Sequence, residues 1–227
     1  TGGLSPVNNF AEYTSFPASV LLIVAMLLGS ISFVVHFKVF SARFREAFKK
    51  ELLLFFGIMS VAVIGIFLFF KLNLEETIFH VISASSGTGF STWNFSAFDV
   101  QLKLIFIVLM FIGGMSISTA GGIKILRLAV LMKSIPVVVR SLLFEKDAET
   151  SFDKKKYSNR DIAVNTMFIL LSIIIVFLGA VAFTTGGFSF VDSFFEATSA
   201  FGTVGLSTGI TSLSLAVHLK WVLISLM

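Results

Sequence analysis

The 227 residues are 56% hydrophobic and 13% charged, carry a net charge of +4, and have a mean hydropathy of +0.97, well above that of soluble domains. The absence of cysteine excludes disulfides, thiolate metal sites and cysteine nucleophiles. Three histidines and 13 acidic residues leave little material for catalysis. The composition therefore indicates an integral membrane protein, and we expect no enzymatic activity and no cofactor in this chain.

Four apolar runs are long enough to cross about 30 Å of hydrocarbon. They are residues 16–37, 51–72, 102–132 with an interruption, and 165–183. We therefore predict an all-α integral membrane fold that crosses the lipid bilayer of the cell (inner or plasma) membrane several times. No initiator Met, basic leader or cleavage site opens the chain, so we expect it to begin in the middle of a longer protein.

The basic residues are concentrated in two segments. Five of the 17 lie within residues 38–50 and nine within residues 124–160. Because Lys and Arg in short loops stay on the cytoplasmic side, we place both segments inside the cell. A basic patch also suits nucleic acid, but between spans the orientation rule accounts for it, and no nucleic-acid partner is expected.

A helix too short to span a bilayer is predicted between the second and third runs. Residues 75–86 form an apolar run that would extend about 18 Å as a helix. Small residues follow in 87–92, and they favour exposed backbone over helix. We interpret the pair as a pore helix and a re-entrant loop.

The same pattern returns after the fourth run. Aligned on Gly89 and Gly205, residues 83–92 and 199–208 are identical at five of ten positions. The opening residues fit the end of this pattern, with Gly3 at the position of Gly89, so we expect a third copy whose beginning is missing. The apolar run after the last copy stops about half a span later, at Met227, so we expect the chain to end within a unit.

Non-helical backbone at membrane depth is tolerated only where it is buried in protein or lines a water-filled path. Such loops have a function if their backbone carbonyls form a ring, because the carbonyl dipoles then replace the hydration shell of a monovalent cation. The preceding helix would direct its negative end at the ion. Close helix packing through small residues is the alternative interpretation. We predict an ion filter at Thr1, Gly2, Gly3, Gly87, Thr88, Gly89, Phe90, Thr203, Val204, Gly205 and Leu206.

The run 102–132 is interrupted by a glycine-rich segment that breaks the helix. Because a broken helix at membrane depth must face protein or water, we predict that this segment lies under the filter as a gate. A kink caused by packing is the alternative, and Lys124 either takes part in the gate or extends toward the cytoplasm. The predicted gate residues are Gly113, Gly114, Ser116, Ser118, Thr119, Gly121, Gly122 and Lys124.

These residues resemble the Trk/Ktr/HKT superfamily of potassium transporters over essentially the whole chain. The specific parts are the filter-like segments ending at Gly3, Gly89 and Gly205, and residues 119–124 after the glycine-rich break. The resemblance implies four potassium-channel-like units of helix, pore loop and helix. Residues 1–50 would be the end of the second unit, 51–150 the third, and 151–227 the fourth, truncated in its last helix.

The resemblance also implies partners and a substrate. The substrate would be the potassium ion, and the chain would form a homodimer on a cytoplasmic nucleotide-binding regulatory subunit. The basic residues 133–160 are a candidate docking surface for that subunit, although membrane orientation already accounts for them.

Three alternatives stay open at this point. In some relatives a serine in the first filter goes with sodium permeation, so a sodium-permeable or sodium-coupled transporter of the same fold is one. An intramembrane enzyme would have to use His80, Asp192 and Glu196, which form no Ser/His/Asp or HExxH arrangement. The third is a structural or sensory subunit that kept the fold and lost conduction.

Overall fold

A computed structural model describes residues 16–42, 50–144, 150–152, 155–212 and 215–227. Within them the main elements are helices, as predicted, and two short strands pair antiparallel in the second basic segment. In chain order the elements are α1 (Phe16–Ser30), α2 (Phe33–Phe40), α3 (Lys50–Phe70), α4 (Leu74–Ser85), a 3₁₀ turn (Phe95–Ala97), α5 (Val100–Ile112), α6 (Ile125–Phe144), β1 (Thr150–Phe152), β2 (Lys155–Tyr157), α7 (Asn159–Thr184), α8 (Phe190–Phe201) and α9 (Val217–Leu226).

Two helices of the described part of the chain, α3 and α7, are long and apolar enough to cross a bilayer, and the bent pair α1–α2 would make a third span. The 21 residues of α3 and the 26 of α7 extend about 32 and 39 Å. Apolar side chains cover both helices on all sides, and many of them, such as Leu68, Phe69 and Leu178, are exposed. A helix that is apolar all round and exposed in this way is suited to contact with lipid.

The predicted run 16–37 is not one continuous helix. The helix α1 ends at Ser30, and α2 begins at Phe33 after a bend of 101°. At the break, the Ser30 carbonyl accepts a hydrogen bond from the Met115 N–H (3.1 Å), and the Phe33 N–H donates to the Ile117 carbonyl (2.9 Å). Long-range partners thus replace the helical hydrogen bonds that the bend removes.

The helices α4 and α8 are short and end inside the protein, as the pore-helix interpretation predicted. Each has 12 residues, about 18 Å, and each begins with a capping side chain. The Asn73 side chain accepts from the Glu75 N–H (3.1 Å), and the Ser189 hydroxyl accepts from the Asp192 N–H (3.2 Å). Acidic residues therefore lie at the positive ends of both helix dipoles, with the negative ends directed into the protein.

Aromatic packing joins α5 to α8 in the core. The Phe95 ring lies 4.9 Å from the Phe106 ring and 5.2 Å from the Phe195 ring, measured between centroids. All three side chains are fully buried. Phe95 belongs to the connection between α4 and α5, so these contacts pack that connection against the short helix α8.

A charged pair joins the same two helices. Lys103 of α5 is buried, and its Nζ lies 2.8 Å from Oδ1 of Asp192 in the first turn of α8. The same Nζ donates to the Ser96 carbonyl (3.2 Å), and the other Asp192 oxygen accepts from the Ser189 hydroxyl (2.7 Å). Both charges are thus paired and hydrogen-bonded, as partly buried charges require.

We expect Lys103→Met to lower the free energy of unfolding by about 2 kcal/mol, because a hydrogen bond between charged groups is lost and Asp192 keeps its charge. Thermal unfolding of the complete protein in detergent measures the change. The double variant Lys103→Met/Asp192→Asn should recover part of the loss. Strictly additive effects of the two single substitutions would contradict a direct interaction between these side chains.

Candidate functional site

The loop after α4, residues 87–90, turns back toward the helix through two glycines of positive φ. Gly87 has φ 67° and Gly89 has φ 76°, a region that other residues rarely adopt. The N–H groups of Thr88 and Gly89 donate to the Ser83 carbonyl (3.1 and 3.4 Å). The Ser83 hydroxyl donates to the Phe90 carbonyl (2.7 Å), so Ser83 holds both ends of the loop.

The loop after α8, residues 203–206, repeats this arrangement. The Val204 N–H donates to the Ser199 carbonyl (2.8 Å), and the Gly205 N–H donates to the Ser199 hydroxyl (3.1 Å). Gly205 has φ 95° and Thr203 has φ 49°. Ser199 aligns with Ser83 in the internal repeat, so equivalent serines hold both loops.

The two loops touch backbone to backbone. A Cβ atom at Gly89 would stand 1.9 Å from the carbonyl oxygen of Val204, a distance that real Cβ atoms do not adopt. A Cβ atom at Gly87 would lie 3.6 Å from the carbonyl oxygen of Gly202. The approach of one loop to the other therefore requires a residue without a side chain at position 89.

The glycine-rich segment 113–124 packs against the same place. A Cβ atom at Gly121 would stand 1.9 Å from the Gly202 carbonyl oxygen, and one at Gly87 would stand 3.1 Å from the Gly121 nitrogen. The predicted gate residue Gly121 thus lies between the starts of loops 87–90 and 203–206. The structure brings the predicted gate and the two described predicted filter loops together.

Segment 113–124 folds back on itself between α5 and α6. A Cβ atom at Gly113 would stand 2.1 Å from the Gly121 carbonyl oxygen, so the two ends of the segment are in contact. The Lys124 ammonium donates to the carbonyls of Ser118 (3.3 Å) and Ala120. These bonds tie the Lys124 side chain to its own segment.

Neighbouring helices hold the outer part of this segment. Glu51 of α3 is buried, and its carboxylate accepts from the Ser116 N–H at 2.5 Å. The Thr119 N–H and hydroxyl both donate to the Gly29 carbonyl at the end of α1 (3.2 and 2.8 Å). A side chain at Gly114 would approach the backbone of α1, since its Cβ would lie 3.1 Å from the Ser30 carbonyl oxygen.

The remaining predicted site residues have clear places. Leu206 is buried, Phe90 is partly buried, and Gly122 has φ 78° at the end of the folded segment. The predicted filter residues Thr1, Gly2 and Gly3 lie outside the described residues.

Two buried side chains behind the loops were not predicted as part of the filter. His80 of α4 accepts from the Thr92 N–H through Nε2 (3.1 Å), and Glu196 of α8 accepts from the Thr208 N–H through Oε1 (2.9 Å). The signal was present in the sequence, because the internal repeat aligns His80 with Glu196 and Thr92 with Thr208. Both side chains are hydrogen-bonded to backbone just after the loops. This gives them a structural role, which differs from the catalytic role that the enzyme alternative assigned to them.

In the part of the chain that the structure describes, acidic, His and Cys side chains do not cluster into a cation site. No group of three His, Cys, Asp or Glu residues there is arranged to hold a metal ion. The polar groups concentrated at the meeting point of the loops belong to the backbone. Chemically, such a site offers carbonyl oxygens, which suit a weakly held monovalent cation.

Comparison with known proteins gives a consistent set of relatives. The family model described as TrkH, cation transport protein, matches residues 73–227. An uncharacterized cation transporter of Methanocaldococcus jannaschii is 29% identical over 217 residues, which are 94% of this chain and 45% of that protein. The Ktr system potassium uptake protein B of Bacillus subtilis is 29% identical over 222 residues, which are 90% of this chain and 48% of that protein.

A solved structure has the same fold. The potassium transporter TrkH from Vibrio parahaemolyticus matches with a TM-score of 0.86 at 19% sequence identity, over 99% of this chain and 52% of that one. The chain thus spans about half the length of these relatives. At this identity the structural likeness concerns the fold alone.

We expect Gly89→Ala to lower the free energy of unfolding by about 1–3 kcal/mol. The added methyl group must displace the Val204 carbonyl, and the positive φ at this position is strained for alanine. Gly57→Ala in α3 is the matched control, since an added Cβ meets no atom within 4 Å there. It should be neutral or stabilising by up to about 1 kcal/mol. Thermal unfolding in detergent compares the two, and equal unfolding temperatures would contradict the contact between the loops.

Proposed function

The chain belongs to the TrkH family of cation transport proteins, and from this premise we propose that the complete protein takes up potassium ions across the cell (inner or plasma) membrane. The observation that carries the proposal is the backbone contact between the two repeated loops at Gly89 and Val204. Loops that meet without intervening side chains leave their carbonyls as the ligands of a dehydrated cation. The Bacillus relative is a potassium uptake protein and the Vibrio relative a potassium transporter, which supports potassium as that cation.

The filter in this proposal is built from repeated loops around one axis. Equivalent serines hold the two described loops, and the short helices α4 and α8 end at them with the negative ends of their dipoles. In this proposal the opening residues would contribute to a further loop. The filter residues would be Thr1, Gly2, Gly3, Gly87, Thr88, Gly89, Phe90, Thr203, Val204, Gly205 and Leu206.

We expect Gly89→Ser and Gly205→Ser to reduce the preference for potassium over sodium about tenfold, which corresponds to about 1.4 kcal/mol of differential binding. The added side chain displaces carbonyls from the positions that suit the larger ion. Rubidium and potassium uptake with sodium as competitor, in potassium-auxotrophic cells that express the complete protein, measures the preference.

Gly57→Ala controls for expression and insertion in this experiment. Normal selectivity in both serine variants, with normal amounts of protein in the membrane, would contradict the filter assignment. Equal uptake of sodium and potassium by the unaltered protein would instead favour the sodium-permeable or sodium-coupled alternative.

Segment 113–124 is the gate in this proposal. Its Gly121 backbone lies against Gly202, beside the filter loops, and the segment is held by Glu51, by the Gly29 carbonyl and by its own Lys124. A segment closed mainly by hydrogen bonds opens when a few of them break, at about 1 kcal/mol each. Its Lys124 ammonium also adds a positive charge beside the proposed cation path.

We expect Lys124→Met to raise the maximal uptake rate about fivefold and to leave ion selectivity unchanged, because loss of about 1 kcal/mol of hydrogen bonding favours the open segment. Lys71→Met is the matched control, because Lys71 is exposed in the turn after α3. Initial rates of rubidium uptake, normalised to protein in the membrane, measure the effect. A lower or unchanged rate for Lys124→Met would contradict the gate assignment.

The organisation of the complete protein follows the same proposal. Residues 1–50 would end the second helix, pore loop, helix unit, 51–150 would form the third, and 151–227 would belong to the fourth. The complete protein would be a homodimer in the membrane with a cytoplasmic nucleotide-binding regulatory subunit. The two basic segments support a cytoplasmic position for residues 38–50 and 124–160, and residues 133–160 would be the docking surface for such a subunit.

A further inference from the structure

Each of the short helices α4 and α8 carries one buried polar side chain that is hydrogen-bonded to the residues just after the following loop. His80 is 0% exposed and Glu196 is 2% exposed, and the internal repeat places them at equivalent positions. Their acceptor atoms receive the N–H groups of the equivalent residues Thr92 and Thr208. Two unlike side chains therefore perform the same hydrogen bonding in the two units.

The His80 ring is fixed in one orientation and one tautomer. Its Nδ1 lies 2.7 Å from the Glu76 carbonyl oxygen, which accepts only, so Nδ1 carries the proton. The remaining lone pair, on Nε2, accepts from the N–H groups of Thr92 (3.1 Å) and Trp93 (3.3 Å). The ring also stacks on Trp93, with centroids 4.0 Å apart and planes 10° apart. The loop end is thus held by a neutral acceptor in an aromatic environment.

The Glu196 carboxylate is surrounded by donors. Its Oε1 accepts from the Ser207 hydroxyl (2.5 Å), the Thr208 N–H (2.9 Å) and the Thr208 hydroxyl (3.3 Å), and its Oε2 accepts from the Thr211 hydroxyl (2.6 Å). This set suits an ionised carboxylate, which accepts hydrogen bonds only. Four interactions from one side chain fix the end of loop 203–206 and the turn that follows.

Aromatic rings add to the hold on His80. The Trp93 ring stacks on the His80 ring, and the Phe95 ring lies 6.1 Å from it, measured between centroids. Phe98 packs against the other side chain of this group, Trp93. Aromatic packing therefore supplements the hydrogen bonds of His80, whereas Glu196 acts through its hydrogen bonds.

We propose that Glu196 and His80 are positioning residues for ion selection, which fix the outer ends of the two loops and so the spacing of the loop carbonyls. The proposal rests on the proposed filter function. A shift of a loop end moves the carbonyls that must match the size and charge of a dehydrated cation. Because aromatic packing also holds the residues after loop 87–90, selectivity depends more strongly on Glu196 than on His80.

The charge of Glu196 has a separate effect from its hydrogen bonds. A carboxylate in a low-dielectric interior raises the affinity of a nearby site for cations. Glu196→Gln keeps an acceptor oxygen and removes the charge, whereas Glu196→Leu removes both. We expect Glu196→Gln to keep potassium selectivity and to raise the KM for potassium about threefold.

The test compares apolar and amide variants in the complete protein. We expect Glu196→Leu to reduce the preference for potassium over sodium about tenfold and His80→Phe to reduce it about threefold, with Glu196→Gln and His80→Gln retaining most of it. Rubidium uptake with sodium competition gives selectivity, KM and maximal rate from the same cells. The split between KM and selectivity is a result that a merely structural role would not give.

The controls separate this proposal from the filter assignment. Gly89→Ser and Gly205→Ser are measured beside the new variants. If they lose selectivity while Glu196→Leu and His80→Phe select like the unaltered protein, the positioning proposal is overturned and the filter stands. If all of them select normally, the filter assignment fails first.

A milder variant covers the case in which Glu196→Leu does not reach the membrane. Thr211 is exposed and donates to Oε2 of Glu196, so Thr211→Val removes one of the four interactions without a change in the core. We expect its potassium preference to fall about twofold. Unchanged selectivity of Thr211→Val, in protein that reaches the membrane in normal amount, overturns the role of Glu196.

Discussion

Direct contact between backbones is the constraint on which the structure of this region depends. At Gly89 against Val204, and at Gly121 against Gly202, an added Cβ would stand 1.9 Å from a carbonyl oxygen. Three chain segments therefore meet without side chains between them, in a protein whose long helices are suited to lipid. Irregular backbone at such depth requires partners for its N–H and C=O groups, since each one left unpaired costs several kcal/mol. Much of the surrounding structure supplies those partners.

The partners come from the two short helices and from neighbouring units. Ser83 and Ser199 hold the loops themselves, and His80 and Glu196 hold the residues just after them. These side chains act from helices that are buried along most of their length, so their positions are fixed by packing. The ion pair between Lys103 and Asp192 connects α5 to the first turn of α8. The loops are therefore held by residues from both sides of the repeat boundary.

Local sequence was sufficient to predict the features that repeat. The short helices, their acidic first turns and the glycines of positive φ follow from composition and from the match of residues 83–92 with 199–208, and the helical membrane fold is confirmed. The bend after Ser30 was not predicted. Gly29, Ser30 and Ser32 permit a break there. The direction of the bend is held by Met115 and Ile117, far along the chain. The hydrogen bond from Ser116 to Glu51 is equally long-range, and a glutamate at the start of an apolar run looks like an ordinary first-turn residue.

Segment 113–124 depends on partners from separate parts of the chain. It follows α5, but Thr119 is bonded to the Gly29 carbonyl of α1, and Gly121 lies against Gly202 at the end of α8. With the bond from Ser116 to Glu51, this one segment contacts α1, α3 and the end of α8 at once. A displacement of this segment therefore breaks its bonds to Gly29 and Glu51 or moves the ends of α1 and α3 with it.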